Sequence, residues 1–137
     1  MRTDKRGFTL IEILLVVAII GTIAAMVVPR LAGRSEQAKG AIAKVDVQSN
    51  ISSALKLYEL DNGTYPSTSQ SLEALLKKPS TSPVPRNWNG PYLEKEPTDP
   101  WGRKYQYQYP GTHGKSYDLF SYGPKEKDEK GRITNWT

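Results

Sequence analysis

The 137-residue sequence contains no cysteine and a single histidine, His113. Without cysteine there is no disulfide, no thiolate nucleophile and no thiolate metal site. The compartment stays open, because a disulfide-free domain can sit on either side of a membrane. One histidine cannot build a His-rich metal centre. It lies in Gly111-Thr112-His113-Gly114, between two strand-like segments, and reads as a surface turn residue without a partner. Asp99 and Asp118 read as isolated acids, and neither a phosphate-binding glycine loop nor zinc-ligand spacing occurs. Catalysis therefore finds no nucleophile with a base, no acid–base pair and no metal, so neither enzyme activity nor a cofactor is expected. A dense basic cluster is also missing. The net charge is +5, but Arg2, Lys5 and Arg6 stand in the first seven residues with only Asp4 against them. The remainder carries 16 bases and 13 acids. That is ordinary for a soluble domain, and nucleic acid is not expected as a ligand.

What the chain does have is one long apolar run, Phe8 to Val28, with a single charge, Glu12. As a helix rising about 1.5 Å per residue it spans about 30 Å, the hydrocarbon thickness of a bilayer. Its backbone polar groups are satisfied internally, so it can sit in lipid. The basic residues ahead of it predict a single pass, with the N-terminus cytoplasmic and the rest exported. A secretory signal peptide fits poorly. The run exceeds the core of about 7–15 residues such peptides use, and it ends in Val27-Val28-Pro29 rather than in a small-residue cleavage site. A carboxylate in hydrocarbon costs about 2.5–3.5 kcal/mol or more, so Glu12 needs a partner or a function. Cutting after Gly7 would remove Lys5 and Arg6 and create a new positive charge, the amine of Phe8. In a helical polymer Glu12 of one copy could then pair with the Phe8 amine of another and set their register. Gly21 loosens a helix by about 1 kcal/mol and Pro29 removes one of its hydrogen bonds. A continuous helix is expected in the membrane form, with local unwinding between Gly21 and Pro29 after assembly.

Beyond Pro29 the helical period continues. Leu31, Ala38, Ala41, Ile42, Val45, Ile51, Leu55 and Tyr58 form one stripe with a gap at Gln48, and Asp61-Asn62-Gly63 stops the helix. Ser67 with Gln70 fits a capping box, predicting a second, short helix to Lys77. Pro79 to Pro91 reads as a loop packed around Trp88. Tyr105 to Tyr109 alternates aromatic and polar residues, and Tyr117 to Tyr122 forms its antiparallel partner. In Asp99-Pro100-Trp101-Gly102 the Asp caps a turn, Pro fixes φ, Trp plugs the core and Gly takes a conformation closed to other residues. The fold class is therefore α+β, a long N-terminal helix against a small antiparallel sheet. Residues 1–7 form a leader, 8–28 the membrane segment, 29–61 its amphipathic continuation and 62–137 a globular domain.

Lys5-Arg6-Gly7-Phe8-Thr9-Leu10-Ile11-Glu12 resembles the processing motif of class III prepilins. The resemblance implies cleavage between Gly7 and Phe8 by a prepilin peptidase and methylation of the Phe8 amine. Tyr58-x-x-Asp61-Asn62-Gly63-x-Tyr65-Pro66, Asp99-Pro100-Trp101-Gly102 with Tyr105, Phe120-Ser121-x-Gly123 and Asn135-Trp136 resemble the major pseudopilins of type II secretion. That implies a type IV pilin-like fold and a homopolymeric periplasmic fibre growing from the inner membrane, acting on secreted proteins like a piston. By the same resemblance its partners are minor pseudopilins, an inner-membrane platform and a secretion ATPase. His113→Ala is expected to leave secretion intact.

Two positions depart from the family pattern. Major pseudopilins carry a C-terminal calcium loop with an Asp after the Ser-x-Gly turn and another before the Ile near the final Trp; here those places hold Lys125 and Arg132. Calcium wants several oxygen ligands, so two cations disfavour it, and Asp128 is the acid left for a shifted site. Lys125 and Arg132 are expected instead to pair with Glu126, Asp128 and Glu129. The alternatives are a type IV pilin, a minor pseudopilin or a tethered periplasmic binding domain. Type IV pilins often close the C-terminal region with a disulfide, and tip pseudopilins often lack the acid at Glu12. A tethered domain would tolerate Glu12→Ala.

Overall fold

The computed structural model of the protein describes residues 6–136. Most of the basic leader, including Arg2 and Lys5, lies outside the described residues. The chain forms two compact units, Met1–Gln37 and Ala38–Thr137. In the first unit, residues 6–9 carry no regular structure and helix α1 (Leu10–Val45) then begins. Its apolar stretch is exposed all round, as a helix meant for lipid or for copies of itself must be. α1 runs unbroken through Gly21 and Pro29. The Thr22 hydroxyl donates back to the Ala18 carbonyl at 2.8 Å, within the turn that contains Gly21.

In the second unit α1 widens into a π turn, Asp46–Asn50, and resumes as α2 (Ile51–Asn62). Gly63, at φ 80°, ends α2 and donates its N–H to the Glu59 carbonyl at 2.7 Å. The left-handed backbone there explains the glycine. The single apolar stripe is half right. Ile51, Ala54, Leu55 and Tyr58 are buried, at spacings of three and four. Before and within the π turn, however, the buried residues are Ala43 and Val47 respectively, while Ile42 and Val45 stand more than half exposed. A π turn takes extra residues per turn, so a 3.6-residue period cannot be carried through it. Side chains hold the wide turn. Asp46 accepts from Tyr105 Oη and Asn50 Nδ2, both at 2.7 Å, and Ser52 donates to the Val47 carbonyl at 2.6 Å. Burial first, and then the Asp46 carboxylate, push the Tyr105 phenol well above its ordinary pKa, keeping it a donor.

The helix expected over Ser67–Lys77 is instead a turn followed by a 3-10 helix, Leu72–Leu75. The capping box does form: Ser67 N–H donates to Gln70 Oε1 at 2.9 Å, and Gln70 N–H to Ser67 Oγ at 3.2 Å. Ser71, at φ 58°, breaks the run before an α-helix can grow. Gln70 also donates to the Thr81 and Pro83 carbonyls, fastening the proline-rich loop. In that loop Trp88 donates to the Ala74 carbonyl at 2.8 Å and meets Tyr92 edge-on.

The hairpin is present in shortened form. β1 (Gln106–Gln108) and β2 (Asp118–Ser121) are antiparallel, with Tyr107 opposite Leu119. A third strand, β3 (Ile133–Thr134), pairs with the other edge of β2, giving the order β1-β2-β3. It went unseen in the sequence because two residues are too short to alternate. Tyr105, Tyr117 and Leu119 are buried against the helix residues, and Tyr65 packs on Tyr109 and Tyr117. The aromatic stripe is thus core rather than a stacking surface for bases.

Candidate functional site

The N-terminal end of α1 gathers the residues expected to serve processing and register. Gly7 and Phe8 precede the helix in a stretch without regular structure, and Phe8 is 81% exposed. Thr9 Oγ1 accepts from the Glu12 N–H at 3.3 Å, so Thr9 caps the helix. Sequence reading missed this, although Thr9-x-x-Glu12 has capping-box spacing. The carboxylate of Glu12 stands in the first turn, favoured by the positive end of the helix dipole. Among the described residues it has no partner. Phe8, Glu12, Ile13, Val16 and Val17 line one shallow, mostly apolar notch, so Phe8 and the acid share a face. Such a notch offers a single charge set in an apolar wall, and the ligand that neutralises it most cheaply is one positive group carried on an apolar segment.

Gly21 and Pro29 are exposed further along α1. The Asp-Pro-Trp-Gly motif lies far along the chain and is structural. Asp99, 3% exposed, accepts from Trp101 N–H at 3.1 Å, from Arg103 N–H at 2.8 Å and from Ser121 Oγ at 2.7 Å. Gly102 has φ 85° and donates to the Asp99 carbonyl. Arg103 Nη1 reaches the Gly123 carbonyl at 2.8 Å. Asp99 is therefore the opposite of isolated: it ties the turn to β2 and to the start of the C-terminal loop.

Asp118 and His113 also need correction. Asp118 Oδ2 accepts from Thr112 N–H, Thr112 Oγ1 and His113 Nδ1 at 3.1, 2.7 and 2.9 Å. The imidazole stacks on Trp136, centroids 3.9 Å apart. The Thr112 hydroxyl donates to the carboxylate, and the ring presents Nδ1 to that same oxygen. Thr112 Oγ1 also lies 3.2 Å from His113 Nδ1, so the trio clasps a turn. Residues five apart across a tight turn gave no periodic signal. Burial pushes the Asp118 carboxyl pKa up, but the bonds from Thr112 and His113 outweigh burial and hold it below its usual value. A depressed folded pKa means stability that is present above the unfolded pKa and lost as pH falls through the folded one. Asp118→Asn is expected to cost about 1–2 kcal/mol at neutral pH. The gap to the parent should close below about pH 4, the ordinary Asp value. Urea midpoints measured across pH check this.

The C-terminal loop carries the residues at the departed positions. Gly123, at φ 76°, opens it, and a Cβ there would run into the Gly131 carbonyl. Of the ion pairs expected here, one is present: Arg132 Nη1 lies 3.9 Å from Glu129 Oε1. Lys125 is exposed and pairs with none of the described acids. Arg132 Cζ instead sits 5.3 Å from the ring centroids of both Phe120 and Tyr122. Two such contacts contribute about 1–2 kcal/mol. Asp128, the acid left for a shifted metal site, is spent as a cap, its Oδ1 accepting from Lys130 N–H at 3.1 Å. The described residues contain no group of three or more His, Cys, Asp or Glu able to hold a metal ion. A lysine, a guanidinium and a committed Asp do not fit calcium.

Comparisons with known proteins bear on both ends of the chain. Residues 30–136 match the family model for type II secretion system protein G, and residues 2–28 match the prokaryotic N-terminal methylation motif. The type II secretion system core protein G of Pseudomonas aeruginosa is 51% identical over 140 residues, 98% of this chain and 97% of that protein. The core protein G of Escherichia coli K12 is 46% identical over 98% of this chain and 93% of its own. The crystal structure of the major pseudopilin from enterohaemorrhagic E. coli superposes with a TM-score of 0.69 at 38% identity. It covers 77% of this chain and 89% of that one.

Proposed function

Starting from the fact that the chain belongs to the type II secretion system protein G family, the major pseudopilins, we propose how its own residues make it a polymerising subunit. Its function is to build the secretion pseudopilus; the type IV pilin and minor pseudopilin readings are set aside by relatives named as core protein G. The apolar helix and the methylation motif point to membrane anchoring. Our reading extends this. The subunit waits as a single-pass inner-membrane protein with its N-terminus cytoplasmic and residues 38–137 in the periplasm. A prepilin peptidase cuts between Gly7 and Phe8 and methylates Phe8. The freed amine of one copy then neutralises Glu12 of another as apolar helices bundle in the fibre core. The secretion ATPase, platform and minor pseudopilins supply the remaining partners.

The observation that carries this reading is the Glu12 carboxylate, exposed and without a partner among the described residues, in an otherwise apolar helix face beside Phe8. Exposed Ile42 and Val45 extend the same need, since apolar side chains facing outward on a domain helix are covered when copies pack. Mass analysis of the N-terminus of the protein from its native host is the test. It should begin at Phe8 and carry one methyl group; a retained leader contradicts the reading.

We also propose that calcium is dispensable. The melting temperature of residues 38–137 should be the same in calcium and in chelator. The Lys125→Asp/Arg132→Asp double variant should lose the Arg132 contacts and regain stability only with calcium. A calcium-dependent rise in the parent would contradict this.

A further inference from the structure

Two arginines follow the end of the apolar run, Arg30 and Arg34. Both are on α1 and exposed. A spacing of four places them on one helix face. The positions three and four residues away, where an intrahelical carboxylate would sit, hold Met26, Val27, Leu31, Gly33, Gln37 and Ala38. The nearest acid, Glu36, points about 200° round the helix from Arg34. Neither arginine has a partner among the described residues. Like charges at this spacing repel, so the pair is unfavourable until an anion joins it. From Leu10 to Val28 the helix rises about 28 Å, one hydrocarbon thickness, which sets both guanidinium groups at the depth of the exported leaflet's phosphates. A guanidinium is a planar donor fork that meets phosphate oxygens two at a time.

We propose that Arg30 and Arg34 form a binding site for the phosphate of an anionic phospholipid in the exported leaflet. This rests on the membrane-anchored reading above. The bound headgroup fixes the depth of the helix in the bilayer. It must be shed when the subunit is drawn into a fibre, so lipid composition sets part of the cost of extraction. The experiment is native mass spectrometry of the full chain released from nanodiscs of equal phosphatidylcholine and phosphatidylglycerol, scoring the lipids retained. The parent should retain phosphatidylglycerol preferentially. Arg30→Gln/Arg34→Gln should lose about fivefold of that enrichment per arginine, the effect of one basic residue at an anionic surface. Inorganic phosphate should not displace the lipid. Unchanged enrichment in the Arg30/Arg34 variant overturns the proposal. So does displacement by inorganic phosphate, which would mark a free-anion site. Unchanged enrichment with lost fibre formation would assign the arginines to a carboxylate on a neighbouring copy. A chain that fails to enter the nanodiscs overturns the membrane reading and this proposal together, whereas entry without lipid preference overturns this proposal alone.

Discussion

Glu12→Ala subunits are expected to be inserted, cut and methylated normally, and to polymerise at least a hundredfold less than the parent. Removing one member of a buried ion pair leaves the other charge uncompensated, at about 3–5 kcal/mol. In a fibre that penalty would fall on the Phe8 amine at every subunit contact. The sign separates assembly from insertion. Deleting a carboxylate from an apolar helix makes membrane entry easier by about 2.5–3.5 kcal/mol, so lost fibres cannot be blamed on lost anchoring. Glu12→Gln should fail as well, because it keeps shape and hydrogen bonding but not charge. Fibre yield in sheared fractions, with total subunit as control, measures both. A Glu12→Ala chain that polymerised like the parent would leave only the carboxylate's place at the positive end of the helix dipole to explain the residue.

The second large effect is on the stability of the domain itself. Asp99→Ala should destabilise residues 38–137 by about 3–5 kcal/mol, a large part of the stability of so small a domain. The carboxylate accepts three bonds in a nearly closed site, and truncation strands the N–H groups of Trp101 and Arg103 and the Ser121 hydroxyl. The loss should spread along the chain, because Ser121 Oγ also accepts from the Gly123 N–H and Arg103 holds the Gly123 carbonyl. Asp99→Asn should be milder, at about 1 kcal/mol, since its amide oxygen can still serve the two backbone donors. Urea unfolding of both variants separates the cases. Equal losses would mean that charge, rather than acceptor count, holds the turn.

The sequence exposed most clearly those features whose physics is one-dimensional. A bilayer-length apolar run and the cost of a carboxylate within it are legible without a structure. The glycine stop at Gly63 and the alternation from Tyr105 to Tyr109 are local signals as well, and the structure places a helix end and a strand there. What failed depended on contacts between distant residues or on non-periodic backbone. The π turn at Asp46–Asn50 shifted the buried face to Ala43 and Val47, because Tyr105, fifty-nine positions away, holds Asp46. Ser71 cut short a helix whose capping box was read correctly. Asp99 and Asp118 looked isolated because Ser121, Thr112 and His113 reach them only after folding. Arg132 was read for its charge, whereas its position over Phe120 and Tyr122 is a matter of packing. At the N-terminal site, Glu12 stands out as a lone charge in an apolar run, Gly7 and Phe8 are singled out by the resemblance to prepilins, and the cap from Thr9 shows only in the structure.

The pairing of Glu12 with a neighbouring terminus can be measured without any mutation. Fibres would be grown from a mixture of two subunit pools, one labelled with ¹⁵N at the Phe8 amine and the other with ¹³C at the Glu12 carboxylate. A solid-state dipolar contact between the labels, at the distance of about 4 Å expected for an ion pair, can then arise only between copies. That contact is the predicted result. Its absence from well-ordered mixed fibres would show that the acid and the new terminus never meet.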